Sequence, residues 1–291
     1  MAQPVTIEND ALRVQVYPQI GGKVASVIDK ADGYELLFGY PDEIPTTPHY
    51  DIPYADAWYA GWDECFPTVG PCAYPSKPYQ GIAVPDHGEL WGLPTTAVPT
   101  NVGVTTVWHG LRFGYRLTRK LYLDGPSVVS EYTLVNLAPF EFKFVWCQHA
   151  LLSMASPVEL SFPGDPDWRP GQDEPGPDAG ADTVDLLRPA TLPAKGSWKA
   201  FGRNPIAAPA TVTYPARNRS LTIAYDSADD EPLAAHWGLW ISTGGWEGQK
   251  QLAVEPTTGR HDQLDRAVAD GTAGKVDPAG RREWAVRWTV S

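Results

Sequence analysis

The sequence predicts an all-β protein built as a large antiparallel sandwich, and three features carry this prediction. Apolar and polar residues alternate in strand-like segments along the chain, as at Leu12–Val16 and Trp284–Val290. Most of the 29 prolines and 27 glycines fall between such segments, where they favour turns. Helical periodicity appears only at Asp262–Ala269, which is too short to form a helical layer. Many short strands separated by Gly- and Pro-rich turns are typical of a sandwich.

The predicted strands are rich in Val, Tyr, Trp, Phe and Thr, the residues that favour strands. In chain order they are Leu12–Val16, Leu111–Leu123, Val128–Leu137, Phe140–Trp146, Ala210–Tyr214, Leu221–Tyr225, Ala234–Ser242, Gln251–Glu255 and Trp284–Val290. Two long Pro-rich segments, Tyr40–Pro85 and Pro163–Pro193, are predicted loops. Loops of this length often carry binding residues, although a solvated excursion explains the second one equally well. Without an internal repeat or linker, we expect one domain over residues 1–291.

Composition and charge exclude several classes of partner. A formal net charge of -12 argues against nucleic acid, an anionic membrane surface and heavily phosphorylated substrates. The 3 cysteines include no CxxC pair, so they predict neither a disulfide framework nor a zinc site. The first residues lack a basic segment followed by an apolar run, and no apolar stretch is long enough to span a bilayer. We therefore expect a cytoplasmic protein; the oligomeric state stays open.

Histidines and tryptophans are the first candidates for a functional site. His87 lies in a predicted loop that is dense in polar groups, and His149 follows the predicted strand Phe140–Trp146. His236 shares a strand face with Trp240. The sequence contains 12 Trp, and aromatic rings stack on the C–H faces of sugars as well as filling cores. We expect at least one of four tryptophans to contact a sugar ring, namely Trp62, Trp91, Trp146 or Trp240, whereas Trp284 and Trp288 are predicted to lie in the core.

Glu255 is the acidic residue that most needs an explanation. It closes the apolar run 252–254, and a carboxylate at the end of a buried strand is costly unless it is paired or used. Alternation puts it on the strand face of Gln251 and Ala253. A desolvated carboxylate near imidazoles suits general acid–base chemistry, although Glu255 could instead accept turn hydrogen bonds from the amides of Thr257 or Gly259. Spacing alone does not bring the histidines and this carboxylate together.

Short sequence blocks resemble the aldose 1-epimerase (galactose mutarotase-like) superfamily and recur in order over nearly the whole chain. Each block alone is weakly specific for the superfamily, whereas the order and spacing of the blocks are moderately specific. The blocks are Ile20–Lys30 with Gly33–Leu37, Gly61–Pro67, Asp86–Trp91, Leu117–Lys120, Tyr132–Leu137, Trp146–His149 and Val254–Gly259.

The resemblance implies a galactose mutarotase-like supersandwich that binds a small-molecule carbohydrate in an open cleft. It implies an isomerase in which Glu255 is the general base, His149 the general acid, and His87 a histidine that holds and polarises the sugar. Glu255 would take the proton of the anomeric hydroxyl while His149 protonates the ring oxygen, so that the ring opens and closes again as the other anomer. This proton relay implies neither a metal nor a cofactor.

The sequence departs from the family pattern in the residues expected to bind sugar hydroxyls. The Asn-Arg pair that precedes the family's His-Gly motif is not found here. In the Gly61–Pro67 block, Asp63 and Glu64 are the residues expected to bind sugar hydroxyls instead. His236 falls roughly where the family has an acidic residue. With Trp91 and Trp240 these complete the expected binding set. Two other classes remain open, namely another carbohydrate-active enzyme (a polysaccharide lyase, or a uronate or sugar-phosphate epimerase) and a non-catalytic carbohydrate-binding module.

Overall fold

The computed structural model describes residues 3–40, 43, 45–100, 103–170, 185–229 and 232–291, and nearly all of its regular structure is β. This confirms the predicted fold class. The strands are β1 (Val5–Glu8), β2 (Leu12–Tyr17), β3 (Lys23–Asp29), β4 (Tyr34–Glu35), β5 (Trp62–Cys65), β6 (Cys72–Ala73), β7 (Ala83–Val84), β8 (Thr96–Pro99), β9 (Gly103–His109), β10 (Tyr115–Asp124), β11 (Ser127–Asn136), β12 (Phe142–Phe144), β13 (Cys147–Ser153), β14 (Glu159–Ser161), β15 (Trp168–Pro170), β16 (Ser197–Gly202), β17 (Ala210–Tyr214), β18 (Arg219–Ser227), β19 (His236–Thr243), β20 (Lys250–Thr257), β21 (Gly274–Val276) and β22 (Arg281–Val290).

Two large antiparallel sheets form the sandwich. The ten-stranded sheet has the order β1-β2-β3-β5-β13-β20-β19-β16-β15, with β4 paired to β3. The eight-stranded sheet has the order β14-β17-β18-β22-β11-β10-β9-β8. Two small two-stranded sheets, β12-β21 and β6-β7, lie outside these layers. Neighbouring strands such as β13 and β20 come from distant parts of the chain, so residues far apart in sequence meet on one sheet face.

The core lies between the two large sheets and is rich in aromatic rings. Trp62 of the ten-stranded sheet stacks on Trp288 of the eight-stranded sheet, with ring centroids 4.9 Å apart. Trp284 packs against Tyr132 at 5.3 Å. Both C-terminal tryptophans are buried, as predicted. One face of the ten-stranded sheet is therefore covered by the other sheet, and we call the opposite face the open face.

Several element boundaries differ from the predictions. The predicted strand Phe140–Trp146 is only β12, because the chain leaves the β12–β21 pair at Val145 and joins the ten-stranded sheet at Cys147. His149 consequently lies in the middle of its own strand. Among the longer strands, β3, β9, β13 and β16 have no counterpart in the predicted list. The segment Tyr40–Pro85 is not wholly a loop, since it contains β5, β6, β7 and a 3₁₀ turn at Tyr54–Asp56.

Helical structure is scarce in the described part of the chain. The α-helix α1 (Leu264–Ala269) falls inside the predicted Asp262–Ala269 segment. Two further 3₁₀ turns span Pro189–Thr191 and Pro215–Arg217. Among the described residues, no helix has the length and apolar character needed to cross a bilayer. Residues 171–184 of the second predicted loop lie outside the described residues.

Candidate active site

Three adjacent strands of the ten-stranded sheet place Asp63, His149 and Glu255 side by side. The β5–β13 register pairs Asp63 with His149. On the other side of β13, Cys147 pairs with Thr257 and Leu151 with Ala253, which puts His149 opposite Glu255. Because side chains alternate along a strand, these three residues project from the open face.

A cleft of about 240 Å³ opens over this row of residues. This volume is just below the range of pockets for drug-sized ligands, so it suits a molecule the size of a monosaccharide. The first predicted loop contributes to one wall, and β16, β19 and β20 contribute to the other. The polar and aromatic lining residues are Tyr54, Asp86, His87, His149, Lys199, Trp240, Trp246, Gln251, Asp262 and Gln263.

His149 and Glu255 form a buried acid–base pair at the cleft. His149 Nε2 lies 3.6 Å from Glu255 Oε1, an oxygen that makes no hydrogen bond within the described residues. Burial lowers the pKa of His149 well below its usual value, and the neighbouring charges of His87 and Lys199 lower it further. Burial raises the pKa of Glu255, against the opposing effect of Lys199. Glu255 is fully buried, in contact with His149 and Lys199 rather than part of the cleft lining.

Lys199 supplies the positive charge beside the carboxylate. Its Nζ donates to Glu255 Oε2 at 2.6 Å and lies 3.3 Å from Asp262 Oδ1. Burial alone would lower the pKa of this lysine, but the carboxylates of Asp262 and Glu255 outweigh it and raise the pKa. The turn-capping alternative for Glu255 is not observed, since the Gly259 amide donates to Thr257 Oγ1 at 3.4 Å. Glu255 is thus paired with side chains and not with the turn.

His87 is held at the lining of the cleft by a tight turn. Both His87 and Gly88 adopt positive φ, at 57° and 76°. A Cβ at position 88 would lie 2.1 Å from the carbonyl oxygen of Phe66, so this place requires glycine. His87 Nδ1 pairs with Asp86 Oδ1 at 2.8 Å, and the ring lies 4.9 Å from that of His149. The turn therefore brings the two predicted histidines together.

Tyr54 connects His87 and His149 to a buried ion pair. Its ring stacks on His87 with centroids 3.8 Å apart, and its hydroxyl lies 3.5 Å from His149 Nδ1. The hydroxyl also donates to Asp63 Oδ2 at 2.8 Å, and Lys23 Nζ pairs with the same carboxylate. Burial raises the pKa of Tyr54 well above its usual value, with the Asp63 charge adding to the effect. Asp63 thus lies behind the cleft, one contact away from it.

Besides Asp63, three further residues of the expected binding set do not line the cleft, namely Glu64, His236 and Trp91. Glu64 points into the core, where Arg119, Trp62, Tyr132 and Trp146 donate to it. It cannot contact a ligand in this structure because consecutive strand residues face opposite sides, and its neighbour Asp63 takes the open face.

His236 and Trp91 are displaced from the cleft in other ways. The His236 ring lies 3.2 Å from the carbonyl oxygen of Asn204 and borders a separate cavity. Trp91 is buried behind Tyr54, with ring centroids 5.1 Å apart, and its Nε1 donates to the Asp86 carbonyl. Trp240 lines the cleft.

Sequence reasoning singled out three of the polar and aromatic cleft residues and missed the other seven, namely Tyr54, Asp86, Lys199, Trp246, Gln251, Asp262 and Gln263. Lys199 lies between the apolar residues Trp198 and Ala200, and a lysine inside an apolar run was a usable signal. Gln251 shares its strand face with Glu255, so alternation already placed it beside the site. Tyr54 and Trp246 lie outside the strands, where no periodic signal exists.

One set of side chains has donors of the type that bind transition metals. Cys65 Sγ and the ring nitrogens of His87 and His149 lie within 4.8 Å of one another. Sulfur and imidazole ligands suit Zn²⁺. Burial raises the pKa of the Cys65 thiol, which opposes formation of the thiolate that a metal requires. A metal-free site stays the prediction.

Solved structures share this architecture over the whole chain. The Slr1438 protein from Synechocystis has 17% identity and a TM-score of 0.73, with 100% of this chain and 96% of that chain covered. A galactose mutarotase-like protein from Lactobacillus casei has 17% identity and a TM-score of 0.74, with 99% of this chain and 100% of that chain covered. This protein has the galactose mutarotase-like fold.

The galactose mutarotase-like fold is the fold that the sequence blocks imply. A galactose mutarotase related enzyme from Lactobacillus acidophilus also shares it, with 14% identity, a TM-score of 0.68, and 99% of this chain and 97% of that chain covered. No family model and no curated protein matches the sequence. At such identities the likeness concerns the fold, and the chemistry must be argued from the cleft.

Proposed function

We propose that the protein is an aldose 1-epimerase that interconverts the α and β anomers of a free sugar. One observation carries the proposal: a buried carboxylate oxygen, Glu255 Oε1, makes no hydrogen bond within the described residues and lies 3.6 Å from His149 Nε2. Trp240 and Trp246 line the same cleft. Ring opening of a sugar needs an acid and a base that transfer protons, and aromatic rings beside them can pack on the sugar ring.

In the proposed reaction, Glu255 removes the proton from the anomeric hydroxyl while protonated His149 gives a proton to the ring oxygen. The C1–O5 bond breaks as C1 becomes an aldehyde carbon. Rotation about the C1–C2 bond and the reverse proton transfers close the ring as the other anomer. The sugar hydroxyl has to reach Glu255 Oε1 between His149 and Lys199.

The electrostatics of the pair support these roles. A lowered pKa makes His149 a stronger proton donor toward the weakly basic ring oxygen in the fraction of molecules in which the imidazole is protonated, and keeps the imidazole neutral in the rest. A raised pKa makes the Glu255 carboxylate a stronger base. Lys199, 2.6 Å from Oε2, holds the negative charge on this carboxylate and leaves Oε1 free.

The competing functions have less support. A lyase or an epimerase acting on uronates or sugar phosphates needs a cation that is free to bind the anionic group. Among the described residues that line the cleft, Lys199 is the one Lys or Arg, and two carboxylates already pair with it. A binding module would not need a buried acid–base pair, whose desolvation is costly.

The test is anomer exchange measured by two-dimensional NMR on a panel of aldoses, uronates and sugar phosphates. We expect the wild-type protein to accelerate exchange of at least one neutral aldose, and dialysis against EDTA to leave the rate unchanged. Glu255→Gln is the inactive control, and Glu159→Gln, an exposed glutamate of β14, is the matched control that stays active. No acceleration of any sugar by well-folded protein would reject the proposal.

A further inference from the structure

Gln251 is a buried amide that the proposed reaction does not use. It projects from β20 on the same face as Ala253 and Glu255. It lines the cleft, yet its side chain is fully buried, with 0% of its surface exposed. Neither Gln251 Oε1 nor Nε2 has a hydrogen-bond partner within the described residues.

Such an amide is costly to the unliganded protein. A buried donor or acceptor that lacks a partner keeps its full desolvation penalty. The neighbouring residues of the cleft, Leu151, Trp240 and Trp246, are apolar or aromatic. A bound molecule with hydroxyl groups would satisfy both amide atoms, because a hydroxyl donates and accepts.

The position of Gln251 relative to the acid–base pair determines which part of a ligand it meets. Four residues separate it from Glu255 along a strand, which corresponds to about 13 Å between their Cα atoms. Both side chains project from the same face of β20, Gln251 into the cleft lining and Glu255 against His149 and Lys199. A pyranose ring that makes a hydrogen bond at each end spans a distance comparable with this Cα separation.

We propose that Gln251 binds the hydroxyl at C4, the ring position opposite C1, and so determines which aldose the protein accepts. The inference rests on the proposed function, because C1 is taken to lie at Glu255. With C1 at the acid–base pair, Trp240 and Trp246 cover the apolar ring atoms, and Gln251 closes the remote end of the site. The amide hydrogen bonds only those C4 hydroxyls whose configuration points toward β20.

Gln251→Met removes the amide and keeps the length of the side chain. For glucose or galactose, whichever wild type prefers, we expect KM to rise about tenfold, the value of one neutral hydrogen bond, with kcat nearly unchanged. The preference between these two C4 epimers should collapse in the variant. For the corresponding 4-deoxy sugar, wild type and variant should have equal KM values. Gln249→Met, a change in the residue that precedes β20, is the matched control and should alter none of these constants.

The same variant has a second readout that a structural role would not produce. Since it removes an unsatisfied buried amide, the urea midpoint of unliganded Gln251→Met should be equal to or above that of wild type. A lower midpoint with unchanged KM would show a structural role and overturn the inference. A KM effect that follows the C6 hydroxyl rather than the C4 hydroxyl would overturn it as well.

Calorimetric binding of the same sugars separates this inference from the proposed function. If wild type exchanges anomers and Gln251→Met behaves identically, the inference fails and the function stands. If wild type binds the sugar without exchanging anomers, and the variant binds about tenfold more weakly, the function fails and the Gln251 assignment stands. If wild type neither binds nor exchanges any sugar, both fail.

Discussion

Two buried glutamates distinguish the core of the sandwich from the open face of the ten-stranded sheet. Glu64 and Glu255 are both fully buried, both lie on strands of this sheet, and both pair with a cation, Arg119 at 3.0 Å and Lys199 at 2.6 Å. Burial raises the pKa of both carboxyls, against the opposing effect of the cation. Charge and burial therefore do not separate a structural glutamate from a catalytic candidate.

The difference is in how the carboxylate oxygens are used. Glu64 Oε1 accepts from Arg119, Trp62 and Tyr132, and Oε2 accepts from Trp146. Glu255 uses Oε2 alone and leaves Oε1 without a hydrogen bond beside His149. A buried carboxylate whose oxygens are all hydrogen-bonded stabilises a fixed arrangement. An oxygen without a hydrogen bond, next to an imidazole, can still accept a hydrogen bond or a proton from a substrate. Four predictions test this contrast.

The largest expected effect is on the rate of anomer exchange. Glu255→Gln keeps the size of the side chain but removes the base, so the rate should fall by about two to four orders of magnitude. His149→Asn should lower it by a similar factor. The double variant should be little slower than either single one, because acid and base act as a unit. Glu64→Gln should leave kcat per folded molecule within about threefold of wild type, since Glu64 does not reach the cleft.

Exchange NMR at saturating sugar measures these rates, and calorimetric sugar affinity provides the control. Affinity should change much less than rate in Glu255→Gln, because other hydroxyl and aromatic contacts hold the sugar. Parallel loss of rate and affinity would make Glu255 a binding residue instead of a base. An unchanged rate would make it structural, like Glu64.

For the free energy of unfolding, in contrast to the rate, we expect the larger loss at Glu64. Glu64→Gln leaves Arg119 buried without its counter-charge, so the free energy of unfolding should fall by about 3 to 5 kcal/mol. Urea denaturation followed by tryptophan fluorescence measures this change. Glu159→Gln, at an exposed position, should stay within about 0.5 kcal/mol of wild type. A small loss in Glu64→Gln would mean that its donors reorganise around the neutral amide.

The sequence predicts the fold well where one strand face is exposed. The segments 12–16, 210–214 and 284–290 alternate because one side contacts the core, and each lies within a strand of the structure. The strand β16 does not show this alternation of apolar and polar residues. Trp198, Lys199, Ala200 and Phe201 are all buried, so both faces are covered and no alternation remains. With the strand unpredicted, its lysine was also missed.

The roles of Asp63 and Glu64 show a second limit. Both were expected to bind sugar, but adjacent residues of a strand cannot face the same side. Recognising Trp62–Cys65 as a strand would have left one candidate for the open face. Which face is covered depends on pairing with β13, a contact between residues about 85 positions apart that periodicity does not reveal.

The role of Lys199 can be tested by replacing its charge. Lys199→Met removes the cation that opposes the raised pKa of Glu255, so this pKa should rise further. Because the base must be ionised, the acidic limb of the kcat–pH profile should move to higher pH, and the rate below the limb should fall about tenfold for each pH unit that the limb moves. Lys143→Met, a partly exposed lysine, is the matched control. An acidic limb that stays in place would mean that Lys199 does not control ionisation of the base.

The smallest expected effect concerns the pH dependence of stability and contrasts the two faces of β13. The pKa of His149 is lowered by burial, so between this lowered value and about 6.5 the unfolded chain binds the proton more readily than the folded protein does. His149 therefore destabilises the folded protein as pH falls below about 6.5, by at most about 1.4 kcal/mol per pH unit. Urea midpoints at about pH 5 and pH 7 should differ less in His149→Asn than in wild type.

Gln148→Asn, in the adjacent residue that faces the core, is the control. It does not change a titrating group and should lower both midpoints equally. If His149→Asn kept the full wild-type difference, the imidazole would not be held neutral by its surroundings, and the contrast between the open face and the core would have to be explained without it.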